Sequence, residues 1–138
     1  MGVASEEVLK GIPQRPPFLF VDEVIEASDK SIVTCWQATG SEDFFKGHFP
    51  GNPIMPGVLL QEAAFQSGAL LMGRQGGSGL GVVARVENVK FKDFVKPGDL
   101  LKMEITLDDT VGNAFYFSGK TKVGDKTVMQ IKFTGALV

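Results

Sequence analysis

The sequence predicts an α+β domain in which one long apolar helix is wrapped by a curved antiparallel sheet of about six strands. Three observations carry this. From Pro56 to about Gly73, apolar residues stand on nearly every face of a helical pattern, so that helix is expected to be enclosed. Residues 101–107 and 129–134 alternate apolar and polar side chains with the period of a half-buried strand. Gly112-Asn113 and Gly124-Asp125 offer tight hairpin turns between such strands.

The elements follow in order. Ser5, with Glu6 and Glu7 behind it, caps a short helix through Leu9. The segment from Gly11 ends in Pro16-Pro17 and cannot stay helical. Phe18 to Glu26 reads as a strand, and Ser31 to Thr39 as a second, rich in β-branched and aromatic residues. Residues 41–57 hold three prolines and three glycines, which forbids regular structure over most of their length; Ser41, Glu42 and Asp43 start one helical turn. Pro56 suits the first position of the long helix. The glycine-rich stretch from Gly73 to Gly79 ends it. Residues 80–92 form a third strand, closed by the turn Lys96-Pro97-Gly98-Asp99. Leu101, Met103, Ile105 and Leu107, then Phe115 and Phe117, then Met129, Ile131 and Phe133 mark the inward faces of the last three strands.

Size and composition bound the function. Residues 1–138 form a single domain, large enough for one core. A net charge of −2 argues against broad nucleic-acid binding, which needs many phosphate-neutralising cations. One cysteine, Cys35, allows no internal disulfide and suits a reducing, cytoplasmic setting. The first eleven residues lack the basic start and apolar run of a signal peptide. No stretch approaches the ~18 apolar residues of a membrane span. Eleven phenylalanines against one tyrosine and one tryptophan suit a dry core or an apolar pocket.

Three features invite chemistry. Glu62 lies inside the apolar helix, beyond the first turn where a carboxylate would meet the dipole favourably. It is either on a narrow exposed strip, or paired with Arg15 or Arg85, or a buried carboxyl with a raised pKa. His48 is the only histidine, which excludes a polyhistidine metal site. It is either an ordinary surface residue or a titrating group preorganised by its proline-rich loop. The N–H groups of Gly57 and Val58, at the helix start, are placed to polarise a carbonyl oxygen. Base, acid and carbonyl clamp together suit proton abstraction next to a carbonyl.

The run from Gly47-His48-Phe49-Pro50-Gly51 through Met55-Pro56-Gly57 to Glu62-Ala63 and Gln66 resembles the signature of the bacterial (3R)-hydroxyacyl-acyl-carrier-protein dehydratases of the FabZ type. Ile12-Pro13-Gln14-Arg15, Pro17-Phe18-Leu19, Val21-Asp22, Val89-Lys90-Phe91 and Val95-Lys96-Pro97-Gly98-Asp99 extend the likeness over nearly the whole chain. The resemblance implies the hotdog fold, with His48 and Glu62 at the positions of the catalytic pair. The related FabA type carries aspartate at the second position, so Glu62 favours FabZ. Gln14 stands where the family usually has histidine, Pro16 where tyrosine is common, and Phe65 where a small residue often precedes the glutamine.

The implied reaction converts a (3R)-hydroxyacyl thioester, carried on the phosphopantetheine of acyl carrier protein, into the trans-2-enoyl thioester. No metal or redox cofactor is required. His48 takes the C2 proton and Glu62 assists loss of the C3 hydroxyl, or His48 serves both steps. Phe45, Phe49, Phe65, Phe91 and Phe94 are candidates to line an acyl tunnel. Arg15, Lys46, Arg85, Lys90, Lys92 and Lys96 are candidates to dock the acidic carrier protein; residues 85–96 hold four cationic side chains against two carboxylates. The family implies a homodimer with sites shared between subunits, extending in some members to a hexamer. A hotdog acyl thioesterase, or a non-catalytic acyl-binding protein of the same fold, are the competing readings.

Overall fold

The computed structural model describes residues 3–76 and 79–138. The N-terminal helix α1 spans Glu6–Gly11, and Ser5 caps it by accepting the Val8 N–H at 3.3 Å. Two strands follow, β1 (Glu23–Ala27) and β2 (Ser31–Gln37), then a single helical turn, α2 (Phe44–Gly47), and the long helix α3 (Gly57–Arg74). Four strands complete the chain: β3 (Gly81–Phe91), β4 (Leu100–Val111), β5 (Ala114–Val123) and β6 (Lys126–Leu137). All neighbours are antiparallel, in the order β1-β2-β4-β5-β6-β3.

The alternation read from the sequence sets the inward face. Leu101, Met103, Ile105 and Leu107 of β4 are buried, as are Phe115 and Phe117 of β5 and Met129, Ile131 and Phe133 of β6. These rows pack on α3, where Leu60, Ala63, Ala64, Leu70, Leu71 and Met72 are buried in turn. Each large side chain so enclosed contributes roughly 1.5–3 kcal/mol. Consecutive helix residues show how the sheet lies. Ser67 meets Thr34 of β2 at 2.7 Å, while a side chain at Gly68 would strike Phe133 of β6 at 2.9 Å. Strands β2 and β6 are three spacings apart in the sheet, roughly 14 Å. The sheet therefore curls around the helix, and the lack of a polar helix face has its cause. The Ser67 hydroxyl donates to the Ala63 carbonyl at 2.8 Å, so Thr34 must donate to Ser67, and both buried hydroxyls are satisfied.

Several boundaries differ from the expected ones. The first strand starts at Glu23, not Phe18, because the backbone of residues 18–20 bonds to a helix side chain instead of a neighbouring strand. The single turn before the loop starts at Phe44, after rather than at the acidic residues, with Glu42 drawn back to the backbone N–H groups of Thr39 and Gly40. Pro56 is the cap of α3, one position before its first residue. The helix ends at Arg74 with Gly76 at φ +81°; residues 77 and 78 of the expected glycine-rich terminator lie outside the described residues. Among the described residues no helix is long and apolar enough to cross a membrane.

Candidate active site

The turn α2 and the loop after it hold His48. Its N–H donates to the Phe44 carbonyl at 3.1 Å, and its own carbonyl accepts the Ile54 N–H at 2.8 Å. Phe49 and Asn52 exchange backbone hydrogen bonds at 3.0 and 2.8 Å, and the Met55 N–H ties the loop to Val95 at 2.8 Å. Phe45 is buried beneath the turn against Phe44. The half-buried imidazole is fixed at one nitrogen: Nδ1 lies 2.8 Å from the Ile54 carbonyl oxygen. A carbonyl can only accept, so Nδ1 carries a proton, and in the neutral ring Nε2 keeps the free lone pair. Phe49 stacks on the ring at 4.0 Å between centroids.

Glu62 sits in the second turn of α3, on the one stripe that the sheet leaves partly open. Burial raises its pKa above the ordinary carboxylate value; a hydrogen bond from Gln66 partly opposes the shift. Gln66 is fully buried. Its Oε1 accepts the Phe20 N–H at 2.8 Å, and its Nε2 donates to the Phe18 carbonyl and to Glu62 Oε2, each at 3.0 Å. Neither expected arginine pairs with Glu62. The Arg15 guanidinium donates to the carbonyls of Leu9, Ile12 and Gln14, and Arg85 lies 3.6 Å from Glu87. Glu62 instead lines a cavity of about 310 Å³ with Phe65, Ala69 and Met72 of α3, Val82 and Val83 of β3, and Phe117 and Phe133. His48 is not among its lining residues.

The N–H groups of Gly57 and Val58 open α3 and meet no acceptor among the described residues. Phe91 lies directly over the helix start: a Cβ at Gly57 would come within 2.9 Å of its ring.

The FabA-like domain family matches residues 12–132, from the opening segment into the last strand. The chain belongs to the FabA-like family. Among its relatives, the 3-hydroxyacyl-acyl-carrier-protein dehydratase FabZ of Caulobacter sp. (strain K31) is 41% identical, covering 96% of this chain and 84% of that protein. The protein of the same name from Alkaliphilus metalliredigens is 42% identical, covering 100% and 96%. Among solved structures, the dehydratase heterocomplex ApeI:P of Xenorhabdus doucetiae superposes with a TM-score of 0.82 at 15% identity, over 95% of this chain and 90% of that one. A hypothetical thioesterase with coenzyme A from Streptococcus pneumoniae gives 0.70 at 13%, over 96% and 91%. At such identities the likeness concerns the fold, which is the hotdog fold.

In this FabA-like chain the phenylalanines expected around an acyl tunnel separate. Phe65 lines the cavity beside Glu62, edge-on to Phe133 at 5.0 Å. Phe45 belongs to the core instead, because its ring points beneath the His48 turn. Phe49, Phe91 and Phe94 are about half exposed or more. The basic residues separate too. Arg15 is spent on carbonyls and Lys46 pairs with Asp43 at 3.1 Å. Lys92 and Lys96 are exposed, and Lys90 shares a shallow groove on the outer face of the sheet with Lys120 and Lys132. That grouping crosses strands β3, β5 and β6, and only the strand register reveals it. Gln66 was legible as part of the motif, but its bonds to the Phe18–Phe20 backbone have no local signal in sequence. Among the described residues no three His, Cys, Asp or Glu side chains converge as a metal site would need.

Proposed function

We propose that this chain dehydrates (3R)-hydroxyacyl groups, carried as thioesters on acyl carrier protein, to trans-2-enoyl thioesters in fatty-acid synthesis. The observation that carries the reading is Glu62. In a FabA-like chain, a carboxyl group biased toward its protonated form by burial is held by Gln66 on the wall of an apolar cavity. A protonated carboxyl can give a proton to a leaving hydroxyl, which an ionised one cannot.

The reaction needs a base and an acid on the same substrate. Nε2 of His48 takes the C2 proton. The electron pair left at C2 forms the double bond as the C3–O bond breaks, and the Glu62 proton leaves with the hydroxyl as water. Helix N–H groups of Gly57 and Val58 stabilise charge on the thioester oxygen as the C2 proton departs. A proton then passes from the imidazolium to the carboxylate, and the pair is reset. No step draws on a metal or redox cofactor.

Two chains complete each site. Strand β3 ends the sheet with eleven residues whose outer edge is unpaired, and Val82, Val83, Val86 and Phe91 on it are exposed. A long apolar edge is a template for a second strand. Pairing with the same strand of a second copy would cover it, and supports a homodimer in which His48 of one subunit faces Glu62 of the other. Exposed lysines on the outer face supply the charge complementary to an acidic carrier protein.

The test is the product. Incubated with 3-hydroxybutyryl and longer carrier-bound thioesters, the protein should raise the absorbance of the conjugated enoyl thioester. Release of free thiol instead would establish a thioesterase, and neither signal would leave an acyl-binding protein.

A further inference from the structure

Along the middle of α3, Glu62, Phe65 and Ala69 are half-buried, while the other residues from Ala63 to Leu71 are buried. Intervals of three and four put these three on one stripe of the helix, and all three line the cavity beside Glu62. Phe65 is the bulky member. Its ring meets Phe133 edge-on at 5.0 Å, and Phe133 in turn stacks on Phe117 at 5.0 Å. Phe133 cannot retreat toward the helix, because a Cβ on Gly68 would already touch its ring at 2.9 Å. The Phe65 ring is therefore backed by a packed aromatic row and stands into the trough. Beyond it the stripe drops to the methyl group of Ala69, with the bare backbone of Gly81 near by. The ring narrows the trough between Glu62 and Ala69.

We propose that Phe65 sets the shape of the acyl group this protein accepts: straight chains pass its ring, and chains branched next to the reacting carbons do not. The inference rests on the dehydratase reading, which orients the substrate along α3. With the thioester oxygen at the N–H groups of Gly57 and Val58 and the C3 hydroxyl at Glu62, the rest of the chain leaves toward the C-terminal end of the helix. Phe65, one turn beyond Glu62, is the first side chain of the stripe that it meets. A polymethylene chain keeps one narrow cross-section and can lie against the apolar ring. A methyl branch on C4 adds width where the ring stands. The ring cannot yield toward Phe133, so the branch must displace packed side chains. A pocket too small by one such group discriminates by about 10–200-fold. Alanine at position 65 removes the ring and the discrimination with it.

The experiment measures kcat/KM for two 3-hydroxyacyl pantetheine thioesters of equal carbon number, one straight and one methyl-branched at C4. Wild type, Phe65→Leu and Phe65→Ala are compared. Wild type should favour the straight chain by about tenfold or more. Phe65→Ala should bring that ratio to within about threefold, with Phe65→Leu between the two. A partly unfolded variant lowers both rates alike, so the ratio reports the site and not the fold. Intrinsic reactivity of the two substrates is common to all three proteins and cancels in the comparison. A wild type that takes both chains equally, or a Phe65→Ala ratio equal to that of wild type, overturns the proposal. Unreactive amide analogues of the same two chains, titrated by calorimetry, should show the same ordering in affinity. If neither thioester yields enoyl product, the dehydratase reading falls. A binding preference lost in Phe65→Ala would then keep the role of Phe65, and equal affinities in wild type would remove it as well.

Discussion

Glu62 and Gln66 stand one turn apart on α3, and the 3.0 Å bond between them joins the carboxyl group to the backbone of the chain's opening segment. Gln66 holds Phe20 and Phe18 with the same amide that holds Glu62. The orientation of the carboxyl group is thus tied to the packing of residues 18–20.

Replacing Gln66 tests that tie. Gln66→Leu strands the buried Phe20 N–H and should lower stability by about 1–3 kcal/mol in chemical denaturation. It also removes the bond that holds the Glu62 pKa down, leaving burial unopposed. The limb of the kcat/KM pH profile belonging to Glu62 should move to higher pH. A variant that loses stability but keeps the wild-type profile would assign Gln66 a purely structural role.

Glu62 itself has a pH signature in stability. Its pKa is raised in the folded chain, so the folded state binds more protons than the unfolded state between the ordinary carboxylate value and the folded one. Stability therefore falls as pH rises through that window, and the cost persists above it. Glu62→Gln should melt higher than wild type at neutral pH, with the difference shrinking as the pH falls to the ordinary carboxylate range. A constant difference across pH would mean that Glu62 is not desolvated in the assembled protein.

Complementation tests the shared site. His48→Ala and Glu62→Gln should each lower kcat by about 10²–10⁴-fold. Refolded together, random pairing gives half heterodimers, each with one intact site, so activity should return to about a quarter of wild type. No recovery from a mixture shown to exchange subunits would place both groups in one chain. Val86→Lys on β3, outside the cavity wall, should shift the protein toward monomer in sedimentation and lose activity with it.

Salt tests the carrier surface. Raising ionic strength screens exposed lysines, so the KM for carrier-bound substrate should rise while that for a small pantetheine thioester stays level. Equal changes would dismiss the basic surface as a docking site. Lys90, Lys120 and Lys132 are the residues to neutralise first, since they share one groove.

The strands of the second half were legible because their inward residues touch one core; Leu101 to Leu107 and Met129 to Phe133 need no distant partner to declare their faces. The helix was legible for the same reason, being apolar all round. The first strand was misjudged because residues 18–20 satisfy their backbone through Gln66, 46 to 48 positions away. Arg15 looked like a free cation because nothing local shows that three carbonyls surround its guanidinium. Phe45 sits among charged residues in sequence and Phe65 among alanines, yet the packing sends Phe45 to the core and Phe65 to the cavity. His48 and Glu62 were singled out by motif, whereas only the fold shows that Glu62 lines the cavity beside α3 and His48 does not.

The bond from His48 to the Ile54 carbonyl bears on how the loop would behave in the proposed reaction. Nδ1 donates whether the ring is neutral or doubly protonated, so gaining a proton at Nε2 leaves the bond in place and strengthens it. The loop need not rearrange when the base is loaded, and it is equally ready when the base is emptied. In the proposed reaction the histidine would change its charge while keeping the same hydrogen-bond partner.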